Sequence, residues 1–286
     1  MTDGIAAFLQ LLDLETIETN IFRGPRLPAE RERVFGGQVA AQALVAAGRT
    51  VERGRVHSLH AYFLRPGDPE APILYEVDRS RDGRSFITRR VVAIQHGRPI
   101  FNFACSFHTD EEGLEHEDPM PKVPSPEELP PLVELLPEDT PEGSAIAYLE
   151  SNGVDLRFIS GPPWAKDTRP EPRVQLWFRA RQPLADEPML HAAIATFASD
   201  LTLVGTILRR HGLSLWRLSY FGASLDHCMW FHRPFRVDEW LLYDQVSPAA
   251  YGARGLSIGS LYNQQGHRVA TAAQEGLVRV NGPLEG

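Results

Sequence analysis

The chain repeats itself, and that repetition narrows the folds open to it. FLRP at 63–66 returns as FHRP at 231–234, a displacement of 168 residues, and in this register LYE at 74–76 meets LYD at 242–244. After one further residue GRPI at 97–100 meets GHRV at 266–269. Upstream, FGGQVAAQAL at 35–44 matches the pattern of FASDLTLVGT at 197–206, placing Phe35 over Phe197 and Gln38 over Asp200. Four matches in one order describe an internal duplication. At 286 residues the chain is long enough for two units of ordinary size.

Each unit reads as one helix followed by long strands. The first helix, GGQVAAQALVAAG, is rich in small residues and is expected to end on Gly48 as its cap. The second, SDLTLVGTILRRHG, is expected to start at Ser199 or Asp200 and to close at Gly212. Strands alternate and turn at hairpin signals such as QHGRP and NQQGH. Phe101, Phe103, Cys105 and Phe107 share one strand face by the period of two. A long antiparallel sheet beside one apolar helix, made twice, is an α+β architecture. Residues 110–143 break the pattern, being acidic and proline-rich, and read as a linker between an N-terminal unit at 1–109 and a C-terminal unit at 144–286. The first twenty residues read as an amphipathic acidic helix, with neither the basic start nor the cleavage site of a signal peptide.

Composition excludes several functions. A net charge of −8 argues against a nucleic-acid binder, which carries a basic stripe. No unbroken apolar stretch reaches bilayer-spanning length. Cys105 and Cys228 are too few for a disulfide framework and form no C-x-x-C pair, and GPLEG at the C-terminus is no peroxisomal address, so a reducing, cytoplasmic location is expected. The arginines of RSRDGRSFITRR, 79–90, read as a charged strand pair or as a local site for a small anion.

A duplicated fold often keeps its framework in both copies and its chemistry in one, so equivalent positions that disagree are informative. Gln38 faces Asp200, Val56 faces Ser224, and Cys105 faces Gln274. The second copy offers a carboxylate, a hydroxyl and an amide where the first offers no carboxylate and no hydroxyl. Beside Gln274 the strand carries Ala270 and Ala272 in place of Phe101 and Phe103, which leaves room for a pocket. Taken singly, Asp200 reads as a helix cap, Ser224 as a strand serine and Gln274 as a partner of backbone groups.

DHCMWFHRPFRVDEWLLY, together with VFGGQ, HAYFLRPGD, RRVVAIQHGRPIF and VATAAQEGLVR, resembles the acyl-CoA thioesterase II family over nearly the whole chain. The resemblance implies a double hotdog fold, each half wrapping an antiparallel sheet around a central helix. It implies hydrolysis of acyl-CoA to fatty acid and CoA, with no metal and no organic cofactor. By motif, the family's water-holding aspartate, threonine or serine, and glutamine fall on Asp200 in FASDL, Ser224 in ASLDH and Gln274 in AAQEG, with serine here where threonine is common.

DHCMWFHRPF itself then reads mostly as framework. His227 and His232, five apart, point to opposite faces of a strand and cannot share a metal, while Asp226 is placed on the Ser224 face at the pocket rim. Asp200, expected at a helix N-terminus, should be a weak base because the dipole favours its charged form. Three rival readings stand beside this one. GLSIG at 255–259 matches the nucleophile-elbow pattern around Ser257, but it runs into a strand instead of a helix. A hotdog enoyl-CoA hydratase needs a histidine about five residues after its aspartate, where this chain has Gly205. A non-catalytic acyl-CoA binding module would hold ligand without releasing thiol. An exposed sheet surface makes a homo-oligomer, dimer or tetramer, the expected assembly.

Overall fold

The structure is a computed structural model, and it describes residues 5–25, 33–135, 153–162, 169–213 and 220–280. The N-terminal half supplies α1 (Ala6–Leu12), β1 (Glu15–Glu18), β2 (Ile21–Gly24), α2 (Gly36–Gly48), β3 (Arg55–Phe63), β4 (Ile73–Asp82), β5 (Phe86–Gln95) and β6 (Arg98–His108). A short 3₁₀ turn (Pro126–Glu128) and α3 (Leu132–Leu135) follow. The C-terminal half supplies β7 (Val154–Phe158), β8 (Arg173–Ala180), α4 (Pro188–Ser199), α5 (Leu203–Arg210), β9 (Tyr220–Ser224), β10 (Asp226–Phe231), β11 (Leu241–Tyr251), β12 (Arg254–Asn263) and β13 (Arg268–Val280).

Strand order makes the duplication visible. The sheet runs β1-β2-β4-β5-β6-β3-β10-β13-β12-β11-β8-β7, so reading outward from the β3–β10 seam gives equivalent strands in the same sequence on both sides. All pairings among these strands are antiparallel. The central helices occupy equivalent places: α2 packs on β2 to β6, and α5 on β8, β9 and β11 to β13. This is the double hotdog. Phe101, Phe103, Cys105 and Phe107 are all buried on one face of β6, as their spacing requires. His96 and Gly97 both take positive φ and close the β5–β6 hairpin in two residues, the geometry whose twist suits a β-ribbon.

Three local expectations are corrected. The N-terminal stretch is not one long helix; after Leu12 it turns and becomes a two-stranded ribbon of alternating β-formers. Gly48 does not cap α2, which continues to Arg49 with helical φ; a Cβ on Gly48 would lie 2.7 Å from Met189 Cε, so close packing of α4 explains the glycine. Gly212, by contrast, does take positive φ just after α5, as a cap should.

The third correction bears on the site. The helix before α5 begins upstream at Pro188, where proline's missing N–H costs nothing, and runs to Ser199. Asp200 is therefore the C-cap of α4, three residues ahead of α5, and not the start of a helix. The run Pro188–Arg210 is long and apolar enough by composition to cross a membrane, although it is not an unbroken apolar stretch. Its hydropathic window is 83% buried within the protein, as befits core helices.

The acidic stretch after β6 lies against the C-terminal half. Glu117 accepts hydrogen bonds from the Arg268 N–H at 2.8 Å and pairs with His267, while the Trp177 indole donates to the Pro124 carbonyl at 3.0 Å. Of the 79–90 arginines, Arg89 turns inward and is 1% exposed, donating to Thr50 Oγ1 at 2.8 Å and to the carbonyls of Thr50, Arg81 and Thr88. That guanidinium is committed to the fold.

Candidate active site

Three structural devices bring Asp200, Ser224 and Gln274 together. The first is the junction between α4 and α5. Tyr243, buried on β11, donates from its hydroxyl to the Ser199 carbonyl at 3.0 Å and so pins the end of α4 where Asp200 leaves it. Gly259 on neighbouring β12 makes room, since a Cβ there would come within 2.2 Å of the Tyr243 ring.

The second device is the N-terminus of α2, contributed by the other half. The Gly37 N–H donates to the Asp200 carboxylate. A Cβ on Gly36 would meet Asp200 Oδ2 and Phe63 Cε1 at 2.8 Å, and one on Gly37 would meet the Phe197 carbonyl oxygen at 2.6 Å. Both glycines are needed for close approach. α2 packs along α4, with the rings of Phe35 and Phe197 4.9 Å apart.

The third device is a β-bulge. Ser224 pairs with Gly276 and Cys228 with Ala273, so four steps on one strand face three on the other. Leu225 is the irregular residue, and its N–H donates to the Glu275 carbonyl at 2.9 Å. One extra residue reverses the inward–outward alternation beyond it. His227, which an unbroken strand would turn away from Ser224, therefore faces the site and is fully buried. Asp226, expected at the pocket rim, instead uses Oδ1 to accept the Glu275 N–H at 2.6 Å and holds the bulge.

The result is a directed chain of hydrogen bonds. The Gln274 amide donates through Nε2 to Ser224 Oγ, and the Ser224 hydroxyl donates to Asp200 Oδ1 at 3.3 Å. Because the Gln274 NH₂ faces Ser224, its Oε1 must accept, and it does so from His227 Nδ1–H at 2.9 Å. His227 Nε2 lies 2.9 Å from Ser199 Oγ. His227 thus fixes which way the Gln274 amide points. It was invisible as a site residue because its face depends on the bulge, and the bulge is a property of pairing register.

Asp200 is 8% exposed and Gln274 1%. Burial pushes the Asp200 carboxyl above its ordinary value; the nearby His227, the Gln274 amide, the Gly37 N–H and the Ser224 hydroxyl pull it back only partly. The expectation of a weak base is overturned. Dehydration outweighs the dipole, which comes from α2 and not from Asp200's own helix. Cys105, the counterpart of Gln274, has its thiol pushed far up by burial, so the first copy offers no thiolate.

Ser257 is not placed for nucleophilic chemistry. It is fully buried within β12 and donates to the Leu203 carbonyl at 2.8 Å. Ser257→Ala should leave CoA release from acyl-CoA intact while costing about 1 kcal/mol of stability for one lost hydrogen bond. Denaturant unfolding and a thiol assay check the two halves of that expectation.

Comparison with known proteins decides the family. The family model described as acyl-CoA thioesterase matches residues 165–277, and the acyl-CoA thioesterase N-terminal domain matches residues 25–108. Human acyl-coenzyme A thioesterase 8 is 40% identical over 94% of this chain and 88% of its own length. The chain belongs to the acyl-CoA thioesterase II family. Acyl-CoA thioesterase 2 of Haemophilus influenzae is 36% identical over 98% of this chain and 99% of that protein. Among solved structures, acyl-CoA thioesterase II TesB2 from Mycobacterium marinum is 43% identical, with a TM-score of 0.77 over 96% of this chain and 98% of that one. A hotdog protein from Alicyclobacillus acidocaldarius, 22% identical with a TM-score of 0.76, shares the fold. The thioesterase is a thioester hydrolase acting on acyl-CoA, and its site residues must account for that reaction.

Proposed function

We propose that the enzyme hydrolyses fatty acyl-CoA to free fatty acid and CoA by direct attack of one water, held by Asp200, Ser224 and Gln274. The observation that carries this reading is the buried carboxylate: Asp200 is the site's acceptor, its pKa is raised, and an amide and a hydroxyl are hydrogen-bonded in line beside it. A thioester carbonyl is already electrophilic, so a water whose lone pair is aimed at its carbon needs only a base for the departing proton. Asp200 takes that proton. Gln274 and Ser224 fix the direction of the oxygen, and His227 holds Gln274 in the required orientation. The acyl oxygen gathers negative charge as water adds, and the N-terminus of α2, whose Gly37 N–H reaches Asp200, presents backbone N–H groups beside the site. No residue in this scheme is acylated. Metal ions and organic cofactors have no part in it.

The test is a thiol-release assay over a series of acyl lengths, with the acid product identified by mass spectrometry. Equal amounts of CoA and fatty acid support the reading; bound acyl-CoA without thiol, or hydration of crotonyl-CoA in place of cleavage, rejects it.

The pH dependence follows from the direction of the Asp200 shift. The active form is the carboxylate, so kcat/KM should fall as pH drops through the raised pKa, with its acid limb above 3.8, the ordinary value for an aspartate. A stopped-flow profile whose acid limb lies at or below 3.8 contradicts the assignment.

We further propose the division into repeats at 1–109 and 144–286 joined by 110–143, a homo-oligomer, and a cytoplasmic location. Exposed Tyr62 and Trp230 on the two seam strands support association, and the unpaired Cys105 and Cys228 support a reducing compartment. Sedimentation velocity tests the oligomer, which a purely monomeric boundary excludes.

A further inference from the structure

Away from Asp200, a cavity of about 670 Å³ opens between the C-terminal end of α2, the first turn of α4 and the loop after β10. That volume is within the roughly 300–1,000 Å³ of small-molecule sites. Its place in the fold is set by the duplication. Val56, which lines it, is the repeat partner of Ser224, and Phe231, which also lines it, is the partner of Phe63, the ring beside Asp200. The cavity is therefore the first copy's counterpart of the approach to the Asp200 site.

Two features show a surface built for a ligand. Its wall combines Val56, Phe107, Met189, Phe231 and Phe235 with imidazoles, and charged side chains of both signs, among them Arg55, Asp110, Asp186 and Arg236, also line it. Two of these rings, His57 and His191, each bury an Nε2 that has no hydrogen-bond partner among the described residues, while His108 Nε2 lies 3.6 Å from Glu111 Oε2. His191 is 2% exposed; its Nδ1 accepts the Val237 N–H at 3.2 Å, so a neutral ring carries its proton on Nε2. Burial favours that neutral form, as does the neighbouring Arg236, while Asp238, the Ala185 backbone and Asp186 oppose it. Among the described residues no group of these side chains is arranged to hold a metal. What the wall asks for is an apolar chain ending in an oxygen acceptor.

We propose that this cavity is a second, non-hydrolytic site for a fatty acyl group, presented as free fatty acid or as its CoA thioester. The acyl class rests on the function proposed above; the existence of the site rests on the cavity, its apolar wall and the His57 and His191 rings that line it. Hydrolysis does not occur there because Gln38, Val56 and buried Cys105 stand where Asp200, Ser224 and Gln274 stand in the other copy.

The experiment measures binding stoichiometry on the full-length chain by calorimetry, with dodecanoate in one arm and the non-hydrolysable thioether S-dodecyl-CoA in the other. Two equivalents per chain are expected in at least one arm, and the arm that shows them identifies the source of the acyl group. Val51→Trp, which fills the cavity from a half-buried position on its wall, should remove one equivalent and leave CoA release unchanged. His191→Leu should weaken the same equivalent about tenfold or more, for the loss of a donor in a desolvated site. A single equivalent that both variants leave intact, two equivalents indifferent to both, or no binding in either arm overturns the second site. CoA release by wild type is read separately, so failure of the hydrolytic reading appears there and not in the stoichiometry.

Discussion

Asp200→Asn should lower kcat by about a hundredfold or more, the usual scale for loss of a general base, while the protein melts no lower than wild type at pH 7. The two outcomes share one cause. Asp200 carries its charge in the active form, in a site that penalises that charge, and the raised pKa records the penalty. The sign is fixed by linkage: a carboxyl with a higher pKa folded than unfolded favours folding when protonated, and that contribution is lost as pH rises through the folded value. A neutral amide of the same shape escapes the penalty but cannot accept the water's proton. Stability and catalysis therefore move apart, as they do where function requires a strained group. Stopped-flow thiol release and calorimetric melting, run on the same preparations, check both. Loss of activity with a large fall in melting temperature points instead to a structural role.

Gly36→Ala is the second large effect, expected at about a hundredfold in kcat/KM, the scale on which an ångström of misplacement matters. Alanine is intrinsically the better helix residue by about 1 kcal/mol. Here its methyl carbon would fall 2.8 Å from both Asp200 Oδ2 and the Phe63 ring. Neither can retreat easily: the carboxylate is held by Ser224 and the Gly37 N–H, and the Phe63 ring packs 5.0 Å from that of Phe101. The carboxylate must shift, and the water it holds shifts with it. Gly113→Ala is the control, because a Cβ there meets nothing within 4 Å. Steady-state kinetics that leave Gly36→Ala within twofold of wild type, with Gly113→Ala also unchanged, show that close approach at α2 does not position the carboxylate.

Much of this fold was legible because the chain states it twice. The FLRP and FHRP segments end the two seam strands, and the mirrored strand order follows from the same displacement. Comparison of the copies also isolated Asp200, Ser224 and Gln274, since a residue that breaks a repeat in a buried position needs a reason. What stayed hidden depends on relations that a linear reading does not carry. The helix Pro188–Ser199 runs up to Asp200, so Asp200 looked like a beginning when it is an end. His227 was not singled out for the site because its orientation relative to Ser224 depends on one unmatched residue across from β13. Gly48 resembled a cap, yet Met189, far along the chain, accounts for it.

Time-resolved intact-mass measurement during turnover with dodecanoyl-CoA tests the water mechanism most directly. The chain should keep its unmodified mass at every quench time, with CoA and dodecanoate appearing together. An acyl adduct that forms and decays at the rate of turnover, on Ser224 or any other residue, would show that the protein and not water attacks the thioester.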